Sequence, residues 1–266
     1  MKEEDFHPNN NLMLVKKLHQ NGFAKLPCYL NRTRLKDLQE TTKRLYSQEG
    51  KQAGAEFKTE PGSIRLANLV QKSEIFRDLI VDPIVLAWVE IVIGREFKLS
   101  SLNARKALPH NKVSQPLHCD MGAIPDKAGF WVCNSIWMLD EFREDNGPTR
   151  VVPGSHLIGQ LPTKQILSQY NAVNNEESVL GPVGSVVIMN AHLWHGGGEN
   201  KSPFSRTALH SFYVRRDKPQ QQYQKELLTR EVQNSLSEKQ RWILALDDSL
   251  NDELAGSDAP RSGFME

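Results

Sequence analysis

The stretch GSVVIMNAHLWHGGGENKSPFSR, residues 184–206, holds an apolar run of strand length, SVVIM at 185–189. Turn signals flank that run, GPVG at 181–184 and HGGGEN at 195–200. Five residues, four of them apolar, are too few for a globular helix and suit a strand buried on both faces. The same texture extends outward in both directions. Strand-like runs are predicted over 97–108, 113–121, 130–139, 149–152, 178–189 and 205–215. Between them lie glycine- and proline-rich punctuation such as EDNGPT at 144–149 and VVPGSH at 151–156. Many short strands joined this way indicate a β-sandwich or barrel rather than alternating βαβ units.

Before residue 97 the periodicity is helical. LMLVKKLHQN at 12–21 carries apolar residues at helical spacing and is stopped by Gly22, and FAKLPCYL follows as a short strand. NRTRLKDLQETTKRLYSQ is an amphipathic helix with Leu35, Leu38 and Leu45 on one side and Gly50 beyond its end. Residues 50–64 read as a polar loop, and helices are expected over 66–80 and 83–94. Residues 219–250 turn helical again and end in a charged tail. The expectation is one domain over 1–266: N-terminal helices about 10–95, a β core about 97–216, and a C-terminal helical segment about 219–250.

The 266 residues suffice for a substantial core without disulfides or structural metals. Lys plus Arg number 33 against 32 Asp plus Glu, a net charge of +1, which gives no support for nucleic acid or an anionic membrane as partner. Three cysteines, Cys28, Cys119 and Cys133, form no CxxC pair, and free thiols in a reducing cytoplasm are the simplest reading. The charged start MKEEDFHPNN lacks the apolar region of a signal peptide, and no run approaches a membrane span.

QPLHCDMG at 115–122 raises the question of chemistry. On an extended strand His118 and Asp120 share one face. Alone, His-x-Asp is a weak signal. Non-haem Fe(II) oxygenases hold iron with two histidines and one carboxylate and leave positions open for cosubstrate and O2. The third ligand would come from 190–210, where His192 and His195 compete. Arg206 lies eleven residues after His195, and its planar fork suits a dicarboxylate cosubstrate.

Taken in order, LHCD at 117–120, WMLDEFREDNGPTRVVPGSH at 137–156 and GSVVIMNAHLWHGGGENKSPFSR resemble the phytanoyl-CoA dioxygenase (PhyH) family, over roughly 20–216. The resemblance implies a mainly β fold with flanking α-helices and a double-stranded β-helix core, the cupin-like jelly roll. It implies an Fe(II)- and 2-oxoglutarate-dependent oxygenase that uses O2, releases succinate and CO2, and hydroxylates or otherwise oxidises a carbon of a small molecule. His118, Asp120 and His195 match the metal ligands, and Arg206 matches the residue that binds the far carboxylate of 2-oxoglutarate. Gln115 and Thr149 match polar positions that touch the cosubstrate. Related halogenases lack the carboxylate ligand, and Asp120 favours hydroxylation here.

Plainer readings cover the remaining residues. His192 is expected beside the site, His156 in a structural turn, and Cys119 and Cys133 as small buried hydrophobes. Trp131, Trp137 and Trp194 are expected in the core, with Trp194 able to wall the pocket. Arg105, Lys106 and Lys112 in RKALPHNK read as a solvated face, or else as contacts for an anionic substrate, with Lys106 able to reach the cosubstrate. Segments 50–65 and 157–178 are expected to border the site mouth. Two rival functions remain: a jelly-roll metal binder without turnover, which would not need Arg206, and a cupin-like dioxygenase or isomerase that uses no 2-oxoglutarate.

Overall fold

The computed structural model describes residues 3–55 and 61–255. Residues 56–60 of the polar segment, and the charged tail beyond 255, lie outside the described residues. Nine strands are present among those described: β1 (Phe23–Leu26), β2 (Ser63–Leu66), β3 (Phe97–Ala107), β4 (Val132–Met138), β5 (Thr149–Val151), β6 (Glu177–Val179), β7 (Val186–Asn190), β8 (His195–Gly197) and β9 (Arg206–Arg215). Six form an antiparallel sheet in the order β1-β7-β4-β9-β3-β2, and three form a second in the order β6-β5-β8. The two sheets face each other as the jelly roll that the family resemblance implies, within the sandwich-or-barrel class that the turn-punctuated pattern predicts.

Strands β4 and β7 of the large sheet bury apolar side chains on both faces because both faces are covered. In β4, Trp137 points into the outer core while Ile136 and Met138 point between the sheets. In β7, Val186 and Ile188 face outward and Val187 and Met189 inward. That double burial explains why SVVIM reads as a continuous apolar run without alternation. The N-terminal helices cover the outer face: α1 (Leu12–Asn21), α2 (Arg32–Glu49), α3 (Leu69–Lys72), α4 (Glu74–Leu79) and α5 (Pro83–Ile93).

The helix ends follow the sequence signals. The Asn31 side chain accepts the Arg34 N–H to open α2, and Gly22 closes α1 in the left-handed region. Helix α5 starts with Asp82 as its cap and Pro83 in its first turn, and buries Val85, Leu86, Trp88, Val89 and Ile93 against β4, β7 and β9.

Beyond the short α6 (Lys164–Gln169), four C-terminal helices follow: α7 (Gln224–Leu227), α8 (Arg230–Ser235), α9 (Glu238–Leu244) and α10 (Ser249–Ala255). Four expectations need correcting. The run over 178–189 is two strands in different sheets, separated by the Gly181–Gly184 turn. Part of the loop over 50–64 is β2, which pairs with the end of β3. The first three residues of HGGG form β8, which pairs with β5 at the edge of the small sheet, rather than a turn. Finally, 113–121 is no regular strand: it makes one bridge, His118 to His195, and Asp120 begins a short 3-10 turn.

Candidate active site

That single bridge brings two distant segments together. The His118 N–H donates to the His195 carbonyl at 2.9 Å, and the His195 N–H donates back at 3.0 Å. Cys119 keeps extended backbone angles, so His118 and Asp120 do project to one side. The chain then leaves the strand through Met121, whose φ is 54°. The Asp120 N–H is tied to the Ala191 carbonyl at 3.1 Å.

The side chains converge. One ligand atom from each of His118, Asp120 and His195 lies within 4.8 Å of the others. The Asp120 Oδ1 oxygen stands 3.5 Å from His195 Nε2 and 3.9 Å from His118 Nε2. Each ring is turned by its other nitrogen: Nδ1 of His118 lies 3.0 Å from the Pro116 carbonyl, and Nδ1 of His195 lies 2.8 Å from the Leu193 carbonyl. With those nitrogens as donors, both Nε2 lone pairs point toward Asp120. The Asn134 amide donates to the second Asp120 oxygen at 3.3 Å.

Burial opposes ionisation of Asp120, but the facing His195, with His118 behind it, holds its carboxyl well below the usual range. Burial disfavours a charged His195, and the Asp120 carboxylate outweighs it and raises that imidazole. Burial, then the neighbouring His195, lowers His118. Two imidazoles and an oriented carboxylate on one side of a cavity are a donor set suited to a divalent iron with open positions.

Arg206 opens β9, is 6% exposed and lines the same cavity as the triad. Its guanidinium donates to the Gly147 carbonyl and stacks over the Phe142 ring at 4.1 Å. Gly147 holds a φ of 75°, the left-handed conformation that the Asn146-Gly147 turn requires. Burial lowers Arg206 to about 10, with Asp140 opposing, so it stays cationic at neutral pH. Thr149 on β5 and Gln115 line the cavity as well. Gln115 is fixed by the Gly197 N–H, which donates to its side-chain oxygen at 2.9 Å. The six residues singled out from sequence therefore share one cavity.

A family model described as phytanoyl-CoA dioxygenase (PhyH) matches residues 18–208, well over half of the chain. The chain belongs to the PhyH family. It is accordingly an enzyme of the dioxygenase class. It is 24% identical over 246 residues to a protein named dioxygenase af480 from Aspergillus fumigatus, a match covering 86% of this chain and 75% of that one. It is 29% identical to dioxygenase trt7 of Aspergillus terreus, over 54% of this chain and 51% of that one.

Among solved structures, the epimerase SnoN in complex with Fe3+, alpha ketoglutarate and nogalamycin RO superposes with a TM-score of 0.66 at 19% identity, over 79% of this chain and 85% of SnoN. EctD from S. alaskensis with 2-oxoglutarate and 5-hydroxyectoine gives 0.65 at 19% identity, over 76% and 74%. Both likenesses are of fold.

Other residues of this PhyH chain lie elsewhere than expected. Lys106 stands over the Tyr46 ring at 3.6 Å on the α2 side of the sheet, so it does not reach the cavity. Its neighbour Arg105 lines the cavity instead of a solvated face, as alternation along β3 dictates. Trp194 is fully buried and does not wall the pocket; its indole donates to the Gln160 carbonyl at 2.9 Å and anchors the 157–178 insertion. Trp131 is only half-buried. His192 is buried outside the triad, its Nδ1 lying 2.9 Å from the Asn190 side-chain oxygen. Asn134 and His210 were not singled out from sequence. Both sit at inward positions of central strands, and only the strand register could have marked them. For His210, desolvation and then the charges of Arg105 and Arg206 keep the ring neutral.

Proposed function

We propose that His118, Asp120 and His195 hold the Fe(II) of this dioxygenase, and that Arg206, Thr149 and Gln115 hold its 2-oxoglutarate, within one oxygenase domain that acts on a small molecule. The convergence of the three ligand atoms beside a buried arginine carries this reading. When bound, iron and 2-oxoglutarate supply the oxidising power for hydroxylation or a related oxidation of a substrate carbon, with succinate and CO2 released.

The chain's own residues do the positioning. The carbonyls of Pro116 and Leu193 hold Nδ1 of each ligand histidine as a donor and present Nε2 to the metal. Asn134 takes the second Asp120 oxygen and fixes the carboxylate's rotation. Arg206, steadied by Gly147 and Phe142, meets the far carboxylate of 2-oxoglutarate through two N–H groups. Gly197 occupies the Gln115 oxygen, so Gln115 offers a carboxylate its NH2 end, and the Thr149 hydroxyl is a further donor. Among the described residues no helix is long and apolar enough to cross a membrane.

The test is succinate formation from 2-oxoglutarate under O2 with Fe(II) supplied. Wild type is expected to form succinate, and His118→Ala, Asp120→Ala and His195→Ala to form none above the protein-free background. Full turnover in Asp120→Ala would sink the ligand assignment.

A further inference from the structure

His210 differs from the other histidines that are not exposed. His7, His118, His156, His192 and His195 each have a ring nitrogen within hydrogen-bonding distance of a neighbouring group. Among the described residues no hydrogen bond or ion pair engages the half-buried His210 ring. Its cross-strand neighbours supply none: Ile136 on β4 is apolar, and the side-chain oxygen of Asn103 on β3 accepts from Gln222 at 3.2 Å. The ring lines the same cavity as the triad and Arg206. Burial, ahead of any neighbouring charge, keeps it neutral, so one ring nitrogen is a donor and the other an acceptor. Polar groups withdrawn from bulk water are paired in folded proteins, and the space open to this one is the cavity.

The strand register fixes which part of the cavity His210 faces. On the inward side of β4 and β9, Asn134, which donates to Asp120, is directly opposite Phe212. The next inward pair toward Arg206 is Ile136 with His210, and the one after it is Met138 with Ala208. A cosubstrate held by Arg206 at one end and by the metal at the other crosses those two pairs. Ile136, Met138 and Ala208 belong to the apolar cluster between the sheets and offer it no hydrogen bond from their side chains. His210 offers it an N–H, one pair from Asn134. Arg206 stands four residues earlier on the same strand, about 13 Å away, a distance that an arginine side chain and a five-carbon diacid cover end to end. With the far carboxylate at Arg206, His210 is left at the metal end.

We propose that the His210 imidazole donates a hydrogen bond to the metal-end carboxylate of 2-oxoglutarate, the one that Arg206 does not hold, and so fixes how the cosubstrate lies against the iron. The inference deepens the oxygenase reading of this cavity and rests on it.

The test is anaerobic titration of the Fe(II)-loaded full chain with 2-oxoglutarate, followed through the visible charge-transfer band of the chelate, in wild type, His210→Phe and His210→Gln. His210→Phe keeps a ring of similar shape and removes a hydrogen bond to a charged partner. Half-saturation is expected to need at least about tenfold more 2-oxoglutarate, and His210→Gln, which keeps a neutral donor, is expected to stay nearer wild type. The energy of the band is a readout that a packing role would not move. A donated hydrogen bond draws electron density from the chelate and lowers its acceptor orbital, so the saturated band is expected at higher energy in His210→Phe. Arg206→Ala acts on the far end and should leave the energy of the saturated band at the wild-type value. Unchanged affinity in His210→Phe, or weaker binding with the band unmoved, would overturn the proposal and leave the oxygenase reading standing. Iron bound without a band in wild type would overturn both. Wild type alone also decides the matter if a variant does not fold. With Zn(II) in the iron's place, the His210 ring N–H is expected to give a slowly exchanging proton signal once 2-oxoglutarate is added, and the lack of that signal would overturn the proposal.

Discussion

At the scale of single residues, the candidate metal centre depends on orientation as much as on ligand identity. Asn134→Ala removes the one described side-chain donor to Asp120 and leaves the three ligands in place. Loss of such a supporting contact costs about 10- to 100-fold in metal affinity. Fe(II) titration of this variant is expected to fall in that range, and an unchanged affinity would mean that Asn134 does not orient the carboxylate. Arg206→Ala removes a charged hydrogen-bonding partner of about 1.5–3 kcal/mol, so the 2-oxoglutarate concentration for half-saturation should rise about 10- to 100-fold. An unchanged requirement would place the clamp elsewhere. The candidate ligands and the candidate clamp, which the structure gathers in one cavity, were singled out in the sequence through the ordered motifs that carry the family resemblance. Arg105 and Lys106 were not separable there: adjacent residues on a strand go to opposite faces, and nothing local says which face is inward.

At the scale of elements, the short strand β8 does what a helix or long loop could not. Its three residues pair with β5 on one side and meet the 115–118 segment on the other. The glycines permit that approach. A Cβ at Gly196 would lie 2.9 Å from the Gln115 carbonyl oxygen and 3.1 Å from that of Pro116. Gly196→Ala must push the His118 segment away from His195, at a cost of about 1–3 kcal/mol from overpacking. It is therefore expected to lower both the thermal midpoint and the affinity for Fe(II). A variant as stable and as metal-competent as wild type would contradict this packing role. Glycine runs signal turns in most sequences, which is why β8 could not be read as a strand. The same holds for β2, whose SIRL stretch is too short and polar to stand out and is set by pairing with β3. The insertion at 157–178 was legible as a long connection. Its ties to the core, Trp194 to Gln160 and Arg150 to Glu176, are tertiary and left no local trace.

At the scale of the whole molecule, a β-sandwich or barrel was legible because turn-punctuated strands recur from residue 97 onward, the jelly roll through the family resemblance, and the outer helices because their caps are explicit. The depth of the histidines was not. His156 and His192 are buried and His210 faces the cavity; desolvation holds all three below the ordinary imidazole value of 6.5, His192 down to about 4. Below 6.5 the unfolded chain binds more protons than the folded one, so stability present above that value is lost as pH falls through it. The urea midpoint is expected to fall between about pH 7.5 and about pH 5, and His192→Phe to flatten the decline. A midpoint constant over that range would contradict it. One cavity is proposed to hold iron through His118, Asp120 and His195 and 2-oxoglutarate through Arg206. The most direct measurement is anaerobic: Fe(II) and then 2-oxoglutarate are added to metal-free protein, and the visible charge-transfer band of the chelate is followed in wild type, Asp120→Ala and Arg206→Ala. A band is expected in wild type, none in Asp120→Ala, and one that needs far more 2-oxoglutarate in Arg206→Ala. Iron bound without a band in wild type, or equal bands in all three proteins, would contradict it.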